Sequence, residues 1–517
     1  MTFEIVFVLL SLLGMVAALI ADKMRPGMIL FSVVVLFLCA GILTPKEMLE
    51  GFSNKGMITV ALLFLVSEGI RQSGTLGQVI KKLLPQGKTT VFKAQLRILP
   101  SVAFISAFLN NTPVVVIFAP IIKHWAKSVN LPATKFLIPL SYVTILGGIC
   151  TLIGTSTNLV VHGMILEAGF EGFSMFELGK VGIFIAIAGI IYIFLFSKRL
   201  LPDARPDTAV PDEEIEEGEK FHRVEAVLGA RFPGINKKLK DFNFQRHYGA
   251  EVKEIKTRNG QRFVTNLDDV VLHEGDTLVV MADDTFIPTW GESSVFVLLT
   301  NGNEPDTSGK KKRWFALLLL VLMIVGATVG ELPVTKEMFP DIKLDMFFFV
   351  SITTIIMAWT NLFPARKYTK YISWDILITI ACAFAISKAM VNSGVADSVA
   401  KFIIGLSDDY GPHVLLAMVF IITNLFTELI TNNAAAALAF PLALSISAQL
   451  GVSPTPFFVV ICMAASASFS TPIGYQTNLI VQGIGNYKFT DFVRIGLPLN
   501  IITFLISVIL IPLIWNF

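Results

Sequence analysis

The chain has 517 residues, of which 54% are hydrophobic and only 15% charged, with a mean hydropathy of +0.69. Soluble globular proteins are not built this way, so the composition points to a polytopic membrane protein. A formal net charge of +2, with no basic platform studded with aromatics, excludes nucleic acid as a partner.

A crossing of the hydrocarbon core needs about twenty apolar residues. In chain order, the first half supplies apolar runs at 3–21, 27–43, 57–84, 91–128, 134–168 and 176–196. The run 91–128 is long enough to double back and carries Asn110-Asn111-Thr112-Pro113 at its centre. Two half-helices meeting at a polar tip are expected there, a re-entrant hairpin whose freed backbone must be covered by protein or a water-filled cavity. The run 134–168 is interrupted by Thr151-Leu152-Ile153-Gly154-Thr155-Ser156-Thr157-Asn158, which implies unwound backbone in mid-span.

Residues 201–220 form an acidic linker that contains prolines. From Phe221 the pattern changes to short alternating runs at 221–227 and 250–255, with another strand at 276–281 preceded by the turn His273-Glu274-Gly275. Such runs read as strands, and residues 221–300 suffice for one small α+β domain. After a basic linker at 301–313, the second half (314–517) gives spans at 314–330, 344–363 and 374–404, a hairpin at 412–450, a broken span at 456–484 and a last span at 492–515.

The halves repeat one another. Thr431-Asn432-Asn433 matches the first tip, and the steps from Asn110 to Pro120 and from Thr431 to Pro441 are equal. Thr471-Pro472-Ile473-Gly474-Tyr475-Gln476-Thr477-Asn478 matches the first break, and Gln72-Ser73-Gly74 matches Asn392-Ser393-Gly394. Five spans plus a hairpin per half is an odd count, so the halves are expected to be inverted relative to each other. Lys23, Arg25, Lys81, Lys82, Lys198, Arg199 and 310–313 then fall on one side and Glu47, Glu50, Glu167, Glu171, Asp408 and Asp409 on the other. The bias toward positive charge inside places both termini outside and 221–300 in the cytoplasm.

Asn and Thr in a membrane bundle can serve as glue between helices. Two copies at equivalent places, each facing a polar break, point instead to a binding site. Half-helix N-termini offer N–H groups and a positive dipole end to an anion, while unwound carbonyls and side-chain oxygens can hold a sodium ion. The candidate residues are Asn110, Asn111 and Thr112 with Gly154, Thr155, Ser156, Thr157 and Asn158, and Thr431, Asn432 and Asn433 with Gly474, Tyr475, Gln476, Thr477 and Asn478. An ionisable residue at mid-span costs about 2.5–3.5 kcal/mol and is functional by default. Glu428 beside the second tip could therefore carry a proton, ligate a cation or pair with Lys388. Glu68 and Arg71, spaced i,i+3, are as readily a structural pair. His162 reads as a satisfied bundle residue, and Cys39, Cys150, Cys382 and Cys462 as packing residues.

The two tips and the two Gly-x-x-Thr-Asn breaks, in this order, resemble the divalent anion:sodium symporter family over about residues 1–200 and 314–517. That family carries Ser-Asn-Thr at both tips, where this chain has Asn110-Asn111-Thr112 and Thr431-Asn432-Asn433, and its dicarboxylate transporters read Gly-Thr-Pro-Pro-Asn at the breaks. The resemblance implies gradient-driven import of sulfate, a similar inorganic oxyanion or a small dicarboxylate, with sodium or protons as coupling ion, sodium at the two tips, and a homodimer in the inner (plasma) membrane. A cation/proton antiporter of the same superfamily and a ligand-gated channel or sensor stand as alternatives; no enzyme is implied. Residues 232–241, 245–252 and 271–280 resemble the C-terminal regulatory module of potassium-conductance regulators (TrkA-C-like), which implies a small, nucleotide-like regulatory ligand.

Overall fold

The computed structural model describes residues 3–21, 24–203, 221–229, 232–257, 261–283, 286, 290, 295–300, 310–339, 341–405 and 411–517. Most of the acidic linker (204–220), most of the basic one (301–309), and Lys23, Asp408 and Asp409 lie outside the described residues.

The first half folds as helices α1 (Phe3–Ala21), α2 (Pro26–Cys39), α3 (Pro45–Glu50), α4 (Lys55–Gln72), α5 (Thr75–Leu83), α6 (Val91–Ser106), α7 (Asn111–Ser128), α8 (Leu137–Gly148), α9 (Ser156–Glu167) and α10 (Gly179–Leu200). After the short α11 (Phe244–Tyr248), the second half gives α12 (Lys310–Gly330), α13 (Pro333–Met338), α14 (Met346–Trp359), α15 (Trp374–Asn392), α16 (Val395–Gly405), α17 (Gly411–Leu429), α18 (Asn432–Leu450), α19 (Thr455–Ser466), α20 (Gln476–Gly485) and α21 (Phe489–Ile514).

Among the described residues, seven helical segments are long and apolar enough to cross a membrane. Their outward faces say the same. Ile183, Ile187, Ile191 and Leu195 on α10, and Leu497, Ile501, Leu505, Ile509 and Leu513 on α21, are all exposed at four-residue spacing. Such unbroken apolar stripes belong against lipid, not water. The chain is a multi-pass membrane protein. Helices that are apolar all round go to the middle: every residue of α8 is buried, as are residues 456–466 of α19. The run Ala434-Ala435-Ala436-Ala437 lets α18 lie close to its neighbours there.

The polar tips fall where α6 gives way to α7 and α17 to α18. In the second pair, α17 and α18 are each long enough to cross. The runs 57–84 and 374–404, expected as single spans, are each split by a glycine in the left-handed region, Gly74 (φ 71°) and Gly394 (φ 75°). Glu68 forms an ion pair with Arg71 at 2.7 Å and accepts from Gln72 at 2.6 Å. Lys135 is no solvated loop charge: it is buried and donates to the carbonyls of Lys198 and Leu201 at 2.8 and 2.5 Å, closing the C-terminal end of α10.

Between the halves lies an antiparallel sheet in the order β3-β2-β4-β1-β5, with β1 Phe221–Leu228, β2 Glu251–Lys256, β3 Arg262–Phe263, β4 Thr277–Asp283 and β5 Phe296–Thr300. Val224, Leu278 and Val280 pack on Phe232, Phe242, Phe244 and Tyr248 to form its core. The sheet is seated directly on the helices. Lys123 on α7 donates to both carboxylate oxygens of Glu225 at 3.0 Å, Lys256 reaches the same group at 3.4 Å, and Val227 joins the apolar core of the bundle. The turn into β4 meets α20: Gly275 faces Leu479, and a Cβ on Gly483 would fall 2.5 Å from the Thr277 hydroxyl.

Burial, the strongest influence on Glu225, pushes its carboxyl up, but Lys123, Lys256 and Arg223 outweigh it and hold it down at about 2. The contribution of this group is complete above the ordinary carboxylate value of 4.5 and is lost as the pH falls toward about 2. The protection of the β1 amides in detergent, measured relative to the intrinsic exchange rate at each pH, is therefore expected to hold from pH 7 to 5 and to fall only in more acid buffer; release of the strand near pH 6 would contradict this ionic seat.

Candidate functional site

The residues singled out by the repeat sit at helix starts. Asn110 is the N-cap of α7, Thr155 of α9, Thr431 of α18 and Tyr475 of α20. Asn and Thr are residue types that cap helices well, yet none of these four side chains makes a capping bond to its own first turn. The leading N–H groups of four helices, each with a positive dipole end, are left without that partner.

The four starts come together in cross pairs between the halves. Thr112 on α7 lies 3.4 Å from the Gln476 side-chain oxygen on α20. The equivalent contacts of the other pair run from Ser156 and Thr157 on α9 to Asn433 on α18, both 3.3 Å. Tyr475 joins the pairs, its hydroxyl 2.7 Å from the Asn111 amide and 3.0 Å from the Thr155 hydroxyl. The Asn111 amide satisfies both its ends in one orientation, its oxygen accepting from Tyr475 and its nitrogen donating to Ser106, Thr144 O and Gly154 O at 2.9, 3.1 and 3.1 Å.

Each tip is tied to its own break by matching bonds. Ser106 lies 2.9 Å from the Asn111 amide, and Thr427 donates to Asn432 at 3.2 Å. Thr151 donates to the Ala107 carbonyl, and Thr471 to that of Glu428 at 3.1 Å. Asn158 and Asn478 turn back onto the carbonyls of Thr151 and Thr471 at 2.9 and 3.2 Å. The Ser141 hydroxyl donates to the Asn478 side-chain oxygen at 2.7 Å and lies 2.9 Å from the Thr477 hydroxyl. The glycines of the breaks are required by contact: a Cβ on Gly154 would lie 2.5 Å from Gly148 O, and one on Gly474 2.3 Å from Thr427 O. Within this closely bonded cluster, Thr431 Oγ1 and Asn158 Oδ1 are buried without a hydrogen-bond partner.

Glu428 also belongs to the cluster. Its carboxylate accepts from the Ser470 N–H at 2.9 Å, from Asn500 at 2.7 Å and from Ser468 at 3.4 Å. Lys388 is not brought to it; that side chain is exposed and acts on the charge of Glu47. His162 accepts from the Phe173 N–H at 3.0 Å, away from the tips. Sequence reasoning missed Ser106, Ser141, Thr144, Ser468, Ser470 and Asn500. Ser106 and Thr427 sit at the same step before each tip, so the repeat carried a signal for that pair. Asn500, an amide in the apolar run of the last helix, was visible as a costly polar group in a span.

Helix starts and polar breaks that meet inside an apolar shell are the arrangement of a membrane transporter's centre. The chain belongs to the citrate transporter family, whose family model matches residues 16–447 and 344–517. It is 30% identical to an uncharacterized transporter of Synechocystis, over 94% of this chain and 93% of that protein. An uncharacterized transporter of Escherichia coli is 25% identical over 99% and 100% of the two chains. Sodium/sulfate cotransporter 2 of Chlamydomonas reinhardtii is 31% identical over 54% of this chain and 31% of its own length.

Proposed function

We propose that the protein is a secondary active transporter that imports an anion, sulfate or a similar inorganic oxyanion or a small dicarboxylate, in symport with sodium or protons. The observation that carries this reading is the meeting of four helix N-termini whose own N-cap side chains do not cap them. N–H groups and dipole ends arranged in this way favour an anion. The sixteen tip and break residues named from the sequence include no Lys or Arg. A dianion among neutral dipoles in a low-dielectric interior is an uncompensated charge, so its entry needs a cation to travel with it. The two tips are where sodium would be held, and Glu428 adds a carboxylate to the second. The name of the sodium/sulfate cotransporter relative supports the same pairing of ions.

In this reading the halves form an inverted repeat, and the matching bonds of the two tips support it. The helix pairs α6–α7 and α17–α18 are the hairpins. The sheet lies on the cytoplasmic side, its module biases transport and answers to a small nucleotide-like ligand, the termini are outside, and the protein works as a homodimer in the inner membrane. The basic ends of α10 (Lys198, Arg199) and α12 (Lys310–Arg313), on either side of the sheet in the chain, support the orientation.

The antiporter alternative draws on Glu428, the carboxylate held by Ser470 and Asn500. Uptake of sulfate, succinate and phosphate into proteoliposomes, with and without an inward sodium gradient, tests both. Accumulation of one anion above equilibrium is expected only with a coupling-ion gradient. Sodium-for-proton exchange without anion uptake would replace the symport reading by the antiport one, and downhill flux alone would replace it by a channel.

A further inference from the structure

We infer that Tyr475 sets the size of the anion admitted between the helix starts, restricting it to compact tetrahedral oxyanions and excluding dicarboxylates and citrate. The inference rests on the anion-site reading above and narrows it.

Tyr475 stands at the second break where Thr155 stands at the first, immediately after the break glycine. Both positions place a hydroxyl at a helix N-cap, but the second carries it at the end of a phenyl ring. That extension lets Tyr475 cross between the halves. Its hydroxyl meets Asn111 of the first tip at 2.7 Å and Thr155 of the first break at 3.0 Å. The two equivalent hydroxyls therefore touch each other, and a ring only 7% exposed fills the approach between the two breaks. A threonine at 475 would leave that space to a ligand.

The hydrogen-bond count points the same way. With Asn111 in its satisfied orientation, the phenol proton goes to the Asn111 oxygen and the Thr155 hydroxyl donates to the phenol. Tyr475 then has no proton to offer a second carboxylate of an elongated substrate. The remaining donors are the first-turn N–H groups of the four helices, which cluster at the helix starts and suit several oxygens around one centre. Binding sites with a filled end reject a longer ligand sterically, through a built clash.

The test measures uptake of labelled sulfate and labelled succinate by purified wild type, Tyr475→Thr and Tyr475→Phe in sodium-loaded gradients. Wild type is expected to take up sulfate and to ignore a hundredfold excess of succinate or citrate. Tyr475→Thr is expected to raise the succinate-to-sulfate ratio at least tenfold. Tyr475→Phe keeps the ring and is expected to hold the ratio within twofold of wild type while the KM for sulfate rises. Succinate uptake by wild type comparable to that of sulfate, or an unmoved ratio in a Tyr475→Thr protein that still carries sulfate, would overturn the inference. If Tyr475→Thr does not fold, wild-type competition by sulfate, selenate, succinate and citrate decides alone, since inhibition that follows charge but not length contradicts a size filter. Asn432→Ala serves as the separate control. Undiminished sulfate uptake in that variant removes the site reading itself, whereas its loss beside an unmoved Tyr475→Thr ratio removes only the size filter.

Discussion

Asn111→Ala is expected to lower anion uptake about a hundredfold while the protein still inserts and elutes as a folded species. The Asn111 amide meets Ser106, Thr144, Gly154 and Tyr475, all in the buried centre. Truncation leaves several of these polar groups without a partner, each at roughly 1–3 kcal/mol. A loss of about 3 kcal/mol at the site corresponds to about a hundredfold, at 1.4 kcal/mol per factor of ten. Asn432→Ala, whose amide is held by Thr427, is expected to act in the same direction. Initial-rate uptake in proteoliposomes, normalised to inserted protein, is the measurement. Rates within twofold of wild type for both variants would sink the assignment of the tips as the site. Gly474→Ala offers an independent check, because its methyl would press on Thr427 O and the Ser468 hydroxyl and push the break off the tip.

The second large effect lies at the seat of the sheet. Glu225→Gln is expected to destabilise the contact between sheet and helices by roughly 1–3 kcal/mol, since it removes the carboxylate that Lys123 and Lys256 share while Lys256 keeps Glu254 at 4.0 Å. The remedy identifies the cause: Lys123→Met combined with Glu225→Gln is expected to recover more than 1 kcal/mol relative to the sum of the single changes. Protease protection of the sheet region in intact, detergent-solubilised protein reads this out. Additive effects would show that the ion pair is incidental to the docking.

How much of this was legible in the sequence differs between features. The helices on either side of the tips were bounded well, because a doubled polar tip with prolines at matching distances is a local signal; the run 91–128 corresponds to α6 and α7. The breaks at Gly74 and Gly394 were not read as helix ends. Hydropathy runs on through α5 and α16, and only the left-handed backbone of the glycines separates them from α4 and α15. Strands β1 and β2 fell near their alternating runs, and β4 near the run 276–281, although Thr277, Leu278, Val279 and Val280 are all buried there. Cross-half contacts were out of reach. That Tyr475 would reach Asn111, that Lys388 would be exposed rather than paired with Glu428, and that Asn500 would hold Glu428 depend on packing that no spacing rule specifies.

The sheet grips one helix from each half, α7 through Lys123 and α20 through Leu479 and Gly483, and those same two helices are joined at their starts by Asn111 and Tyr475. Two rods fastened at both ends cannot shear past each other; they travel as one beam. In the proposed transport reading, a rearrangement that exposes the centre first to one side and then to the other would open another seam, such as α9 against α18, joined at Ser156, Thr157 and Asn433. In that reading, the sheet between the halves helps to set which helices move together and which part.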